Sequence, residues 1–209
     1  TQLANLANGI SGASTSGDTW GADANSVTGA AGETSQLYFN SLGIPNTVEA
    51  DGPAGIRVTA ETTDKDGNAV YNYCTAFPIG TLLAQTWNTD LVNRVGKAIG
   101  EEMVEIGVTL WLAPGMNIHR DPLCGRNFEY YSEDPALTGY VGSAITAGVQ
   151  SNKGVGVTIK HYITNNQETN RSAVNTSVSE RTLREIYLKG FEMVVKSAQP
   201  MAIMSSYNK

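Results

Sequence analysis

The stretch VTLWLAPGMNIHRDPLCGRNFEYYSEDP runs from Val108 to Pro135 and joins a strand, a long polar loop and a helix start. Val108 to Ala113 is too apolar and too rich in β-formers for an exposed edge, which predicts a strand buried on both faces. Asp134 followed by Pro135 predicts a helix start: the carboxylate can accept orphan backbone N–H groups, and proline is preset for the first turn. Between them lies a loop of roughly twenty residues, where an ordinary connection has about 4–6. It carries His119, Arg120, Asp121, Arg126, Glu129 and Glu133. Polar residues crowded into a long loop at a strand end point to a ligand site.

The same order recurs on either side. The helix should run from Pro135 to about Gln150, and its glycines predict close packing. Val155 to Ile159 (VGVTI) is a second buried strand, ending at Lys160 and His161 and followed by a polar loop through Thr164 to Arg171. Ser177 and Glu180 have capping-box spacing. The helix from there to about Ala198 sets the pairs Glu180/Arg184, Arg181/Glu185 and Glu185/Lys189 opposite Leu183, Ile186, Tyr187, Val194 and Val195. Met201 to Ser205 is a further strand, leading to Tyr207.

Towards the N-terminus, Leu91, Val92, Val95, Ala98, Ile99, Met103 and Ile106 predict an amphipathic helix over Trp87–Ile106, stopped by Gly107. Thr47 to Ala50 is a short β-prone run that ends at Asp51 in a glycine-rich turn. Asp64 to Asn68 reads as a polar excursion, Ser11 to Thr34 as loop, and Thr1 to Ile10 as a short opening helix. Gly29 to Thr34 resembles a phosphate loop only superficially, because it has no lysine and Glu33 would repel phosphate.

Four strands alternating with helices, each handing over to a polar loop at its C-terminal end, predict an α/β fold of the (β/α)8 TIM-barrel type. A doubly wound dinucleotide-binding sheet is the alternative, but no G-x-G-x-x-G turn follows the first strand. Set against eight strands and about 250 residues for a whole barrel, residues 1–209 read as one partial barrel domain, about half of the barrel. A composition 41% hydrophobic and 16% charged is that of a globular protein. A net charge of −6 without a lysine or arginine cluster argues against a nucleic-acid or anionic-membrane partner. No apolar run approaches the ~20 residues of a membrane span, and Thr1 onward lacks a signal-peptide pattern. Cys74 and Cys124 make neither a disulfide framework nor a metal-spaced pair, which leans towards a reducing, cytoplasmic setting and leaves secretion open. Asn170-x-Ser172 and Asn175-x-Ser177 are glycosylation sequons by pattern only.

Barrel geometry gathers strand ends at one mouth, so Asp51, the loop around Arg126, Lys160 with His161, and Tyr207 should converge. His161, beside Lys160 at a strand end, reads as a site residue and His119 as a structural one. The histidines have no cysteine partner at zinc spacing, and an ammonium is a poor neighbour for a metal cation, so neither metal nor cofactor is expected. Arg126 either clamps Glu129, Glu133 or Asp134 or hydrogen-bonds a ligand. Glu168 and Arg171 read as a pair internal to their loop. A mouth of Asp, Lys, His, Arg and Tyr suits a polyhydroxylated ligand, because every sugar hydroxyl both donates and accepts. A retaining glycosidase needs two carboxylates about 5–5.5 Å apart, and Asp51 with Glu129 is the pair on offer. A lysine at a strand end also allows a Schiff-base lyase built on Lys160.

Asp51-Gly-Pro-Ala-Gly-Ile-Arg57, Gly125-Arg-Asn-Phe-Glu-Tyr-Tyr-Ser-Glu-Asp-Pro135, Lys160-His-Tyr162 with Asn165-Asn-Gln-Glu168, and Met204-Ser-Ser-Tyr-Asn208 together resemble glycoside hydrolase family 3, in its β-glucosidase branch. The resemblance implies a retaining, exo-acting β-glucosidase for terminal non-reducing β-D-glucosyl residues, whose N-terminal-type barrel domain works beside an α/β sandwich domain. It implies that Asp51, Arg126, Lys160, His161 and Tyr207 line the subsite for that sugar, with Met204 as an apolar wall. It also displaces the Asp51/Glu129 pair. The family's nucleophile is an Asp on a later barrel strand and its acid/base a Glu of the sandwich domain, so no catalytic residue is expected within these 209 residues. The implied partners are a β-glucoside or oligosaccharide and the polypeptide completing the barrel and sandwich; an inert sugar-binding fragment is the alternative. Ala54 stands where many relatives carry His, which opens the sugar preference. Lys160-His-Tyr-Ile-Thr164 departs from the Lys-His-x-Pro-Gly pattern of the family's N-acetylglucosaminidases and disfavours that branch.

Overall fold

The structure, a computed structural model, describes residues 27–34, 42–63 and 66–209. The opening helix expected at Thr1–Ile10 lies outside the described residues, as does the expected loop up to residue 26. The strands are β1 (Gly32–Glu33), β2 (Val48–Ala50), β3 (Glu61–Thr63), β4 (Ala69–Tyr71), β5 (Leu110–Trp111), β6 (Gly156–Tyr162) and β7 (Ala202–Ser205). The helices are α1 (Gly80–Gln85), α2 (Thr89–Ile106), α3 (Pro135–Gln150), α4 (Glu180–Thr182) and α5 (Leu188–Ala198). One sheet has the order β1-β2-β5-β6-β7, in which β2, β5, β6 and β7 are parallel neighbours and β1 is antiparallel to β2. This curled sheet with its crossover helices is half of a TIM-type barrel.

Strand order follows from what each strand must bury. In β6 every residue from Gly156 to His161 is buried, as a strand covered on both faces requires. Val48, Ala50, Trp111, Val157 and Ile159 from the sheet meet Val92, Ile99 and Met103 of α2, Val141, Ile145 and Val149 of α3, and Phe191 and Val194 of α5 in one core. The indole of Trp111 is fully buried and donates to the Gly52 carbonyl at 2.7 Å, so its polar edge is satisfied inside that core.

The helix signals act as expected at α3. Asp134 Oδ1 accepts from the Ala136 N–H (2.7 Å) and the Leu137 N–H (3.3 Å), with Pro135 at the first position. The glycines of α3 do bring neighbours close: a Cβ on Gly148 would strike the Asn93 carbonyl of α2, and one on Gly96 the Ile145 carbonyl of α3. Gly107 ends α2 in the left-handed region, with φ 90°.

Other elements differ from expectation. Trp87 does not open α2; a break separates it from α1, and Asn88 caps α2 by accepting the Leu91 N–H at 3.0 Å. Glu61–Thr63 and Ala69–Tyr71 pair antiparallel as β3 with β4, through backbone bonds and without an apolar face to signal it. Gly32 and Glu33, expected as loop, add a short strand to the sheet edge. The cap of α4 is Ser179, which accepts the Thr182 N–H, and not Ser177. Glu180 pairs with Arg184 (2.9 Å) and Arg181 with Glu185 (3.1 Å), but Lys189 lies near Glu192 (3.8 Å) instead of Glu185. The reason is a π turn at Leu183–Tyr187. Its wider winding carries Lys189, beyond its end, out of line with Glu185, while the pairs that enter it from α4 keep their i,i+4 spacing.

Candidate functional site

Lys160 is the buried centre of the polar cluster. It lies in β6 and is 2% exposed, beyond the apolar run that anchors the strand. Its Nζ donates to Asp51 Oδ1 at 2.9 Å and stands 3.9 Å from Glu129 Oε2. Asp51 follows β2 immediately, and its Oδ1 also accepts the Gly52 N–H at 2.9 Å, while Arg57 approaches Oδ2 at 3.4 Å. Gly52 is required there: its φ is 117°, and a Cβ would collide with the Gly55 carbonyl. Burial alone would push the Asp51 carboxyl up. The charge and hydrogen bond of Lys160, then the Gly52 N–H and Arg57, outweigh burial and hold it below the usual carboxylate range.

Glu129 sits on a 3-10 turn, Asn127–Glu129, inside the long loop. Its Oε1 accepts from Arg126 Nε, so of the three carboxylates expected as a clamp for Arg126 the protein partner is Glu129, neither Glu133 nor Asp134. Burial works against the Arg126 charge, but its hydrogen bond to Glu129 more than restores it. Among the described residues nothing donates a hydrogen bond to Glu129 Oε2. The two carboxylates once offered as a glycosidase pair are thus both committed to holding cations, Asp51 to Lys160 and Glu129 to Arg126.

His161 follows Lys160 in β6 and is 5% exposed. Asn117 grips its backbone from both sides, accepting the His161 N–H and donating to the His161 carbonyl, each at 2.9 Å. Nδ1 of the ring lies 3.1 Å from Asn117 Oδ1 and 3.2 Å from the Tyr130 hydroxyl. Burial, followed by the positive charges of Arg126 and Lys160, pushes the His161 pKa down to about 2 against the opposing pull of Asp51, so the ring is neutral. Desolvation raises the Tyr130 phenol, which stays protonated. The Lys160–His161 and Tyr162–Ile163 peptide bonds are cis, as is Ala113–Pro114.

The remaining expected residues lie further out. Met204 of β7 stands opposite Lys160 in the register. Tyr207 is 57% exposed and meets Arg171, whose guanidinium lies 5.1 Å from the ring centre. A polar chain connects it inward: Arg171 to Glu168 (3.0 Å), Glu168 to Asn165 (2.9 Å), and Asn165 to the Tyr130 hydroxyl (3.3 Å). The Glu168/Arg171 pair is internal to its loop, as its spacing suggested. His119 hydrogen-bonds the Asn127 carbonyl (2.9 Å) and braces the loop. Cys74 and Cys124 are unpaired. A cavity of about 350 Å³ opens beyond Asn165, between Arg120, Asn175, Tyr187 and Asn208.

Asn117, Tyr130 and Asn165 are the residues that sequence reasoning missed. Asn117 did leave a signal, since it is a lone amide between the apolar Met116 and Ile118 and is 2% exposed. A polar side chain in such a run must find partners inside the fold.

Three of the four parallel strands of the half barrel, β2, β5 through its long loop, and β6, thus deliver a buried lysine, two carboxylates, an arginine and a neutral histidine to one end. Residues 33–209 match the N-terminal domain of glycosyl hydrolase family 3. The chain belongs to that family. It is 50% identical over 167 residues to β-glucosidase A of Butyrivibrio fibrisolvens, covering 80% of this chain and 19% of that protein. It is 47% identical over 173 residues to an exo-α-(1→6)-L-arabinopyranosidase of Bifidobacterium longum, covering 81% and 22%. The structure of β-glucosidase 3B from Thermotoga neapolitana in complex with glucose superposes with a TM-score of 0.82 at 58% identity, covering 88% of this chain and 25% of that one. This family 3 chain therefore spans about a fifth of the length of the curated relatives it matches. Among its described residues no helix is long and apolar enough to cross a membrane.

Proposed function

We propose that this glycoside hydrolase domain holds the terminal non-reducing β-D-glucosyl residue of a substrate for a retaining, exo-acting β-glucosidase. Asp51, Arg126, Lys160, His161, Met204 and Tyr207 form its binding surface, and the nucleophilic Asp and acid/base Glu come from polypeptide outside these 209 residues. The observation that carries the reading is the buried Lys160 ammonium between Asp51 and Glu129, at a strand end shared with neutral His161. Such a cluster offers both fixed donors and fixed acceptors, which desolvated sugar hydroxyls need. Attack by Lys160 on a carbonyl, as a Schiff-base lyase requires, would mean breaking its ion pair with Asp51, so the same contact favours a binding role. The B. longum relative named for an arabinopyranoside makes that sugar the comparison to run beside glucose.

Calorimetry with glucose on the natural-length protein tests the assignment. A hydrogen bond to a charged group is worth about 1.5–3 kcal/mol, so Lys160→Met should weaken glucose about 10- to 100-fold. Glu180→Ala, which removes a surface pair with Arg184, should leave affinity unchanged. Undiminished binding by a folded Lys160→Met protein would refute the proposed site.

A further inference from the structure

We infer that Asn117 is a positioning residue that locks His161 in the tautomer protonated on Nδ1, leaving Nε2 to accept a hydrogen bond from a hydroxyl of the bound sugar. The inference rests on the sugar-site reading above and fixes the direction of one hydrogen bond within it.

The Asn117 amide has no freedom in its own orientation. Its Oδ1 accepts the His161 backbone N–H and its Nδ2 donates to the His161 carbonyl. Turning the amide over would set N–H against N–H and oxygen against oxygen. The same Oδ1 lies 3.1 Å from His161 Nδ1, and a carbonyl oxygen has only lone pairs to present. That contact is attractive only when Nδ1 carries the proton. The rival arrangement has the Tyr130 hydroxyl, 3.2 Å away, donating to an unprotonated Nδ1. It would leave the lone pairs of Nδ1 and Asn117 Oδ1 facing each other in a buried setting, where no water can relieve the repulsion. With the proton on Nδ1, both the amide oxygen and the phenol oxygen sit where they can accept it.

A neutral imidazole has one donor and one acceptor. Nδ1 uses the donor, so Nε2 is the acceptor. Among the described residues nothing hydrogen-bonds Nε2, and it is not one of the fully buried polar atoms left without a partner. Burial and the neighbouring cations keep a second proton off the ring. His161 therefore adds an acceptor beside Asp51 in a cluster whose donors are Lys160 and Arg126. The sugar hydroxyl that meets it must donate.

The test is nitrogen NMR on the natural-length protein with labelled histidine, using His161→Gln to assign the ring. In the free protein at neutral pH, Nδ1 should appear as the protonated, pyrrole-type nitrogen and Nε2 as the unprotonated, pyridine-type one. Saturating glucose should move the Nε2 resonance. Asn117→Leu should abolish the preference between tautomers and weaken glucose roughly 10-fold, whereas Asn117→Asp, which keeps an acceptor oxygen, should retain the Nδ1-protonated pattern. A proton on Nε2 in the free protein, or an unchanged ring in Asn117→Leu, would overturn the lock. Glucose that binds without moving Nε2 would overturn the acceptor role. Failure of glucose to bind at all would sink the sugar-site reading and with it the acceptor role, while the free-protein spectrum still decides the lock.

Discussion

A histidine that stays neutral inside a fold makes that fold sensitive to acid. The His161 pKa is pushed down to about 2 from an ordinary 6.5, so between these values the unfolded chain binds a proton that the folded one refuses. Stability is then highest above pH 6.5 and falls as pH drops, with a slope approaching ~1.4 kcal/mol per pH unit. Asp51 acts in the same direction but lower. Its carboxyl is held below its ordinary value, so its contribution is complete above pH ~3.9 and is lost as pH falls through the depressed folded value. Glu49 is raised by burial and acts in the opposite sense, its carboxylate costing stability as pH rises through its folded value. From pH 7 to about 5.5, His161 should cost about 1.3 kcal/mol, read as a lower urea midpoint. His161→Gln should flatten that dependence; an unchanged slope in the variant would show that another group is responsible.

At the scale of elements, the half barrel depends on helices that approach closely enough to cover their strands. Gly96 of α2 faces the Ile145 carbonyl, and Gly148 of α3 faces the Asn93 carbonyl, so one helix crossing is closed by two absent side chains. Gly→Ala in a helix interior is ordinarily worth about 1 kcal/mol of stability. Here each methyl meets backbone that cannot turn away, and overpacking of this kind costs about 1–3 kcal/mol. Gly96→Ala and Gly148→Ala should each lower Tm by several degrees, and together by less than the sum because both open the same crossing. Gly125→Ala, with nothing near its Cβ, is the matched control. The crossing was legible from the run of small residues in α3, and the same holds for the elements whose signal is burial, β2, β5, β6, α2 and α3, whereas β7, with no buried residue, was legible only from its apolar composition. The pair β3–β4 and strand β1 were not legible, because backbone pairing without an apolar face leaves no periodicity. The π turn was hidden because its residues satisfy an ordinary helical pattern. Within the site, Lys160 and Asp51 could be read from strand ends and Arg126 from the long polar loop. Tyr130 and Asn165 could not, since their role is to hold other side chains across the fold.

For the molecule as a whole, the sheet ends on one side at β7, where Met201 and Ile203 are 59% and 48% exposed. Strand edges with apolar neighbours invite further pairing, which a closed barrel removes. The proposed function divides binding and catalysis across the polypeptide. The groups proposed to hold the sugar are fixed by contacts internal to these residues: Lys160 by Asp51, Arg126 by Glu129, His161 by Asn117. Of the two carboxylates in the cluster, Asp51 is paired with Lys160 and Glu129 with Arg126, which fits the proposal that neither is the nucleophile. A soluble preparation of residues 1–209 should accordingly bind glucose, in the calorimeter, yet release no phenolate from an aryl β-glucoside, while the natural-length protein does both. Glucose binding in the same sample excludes misfolding as the cause of inactivity. Turnover by the 209-residue piece that vanishes in Asp51→Asn or Glu129→Gln would instead return the nucleophile to this cluster, and the division of labour proposed for the domain would be wrong.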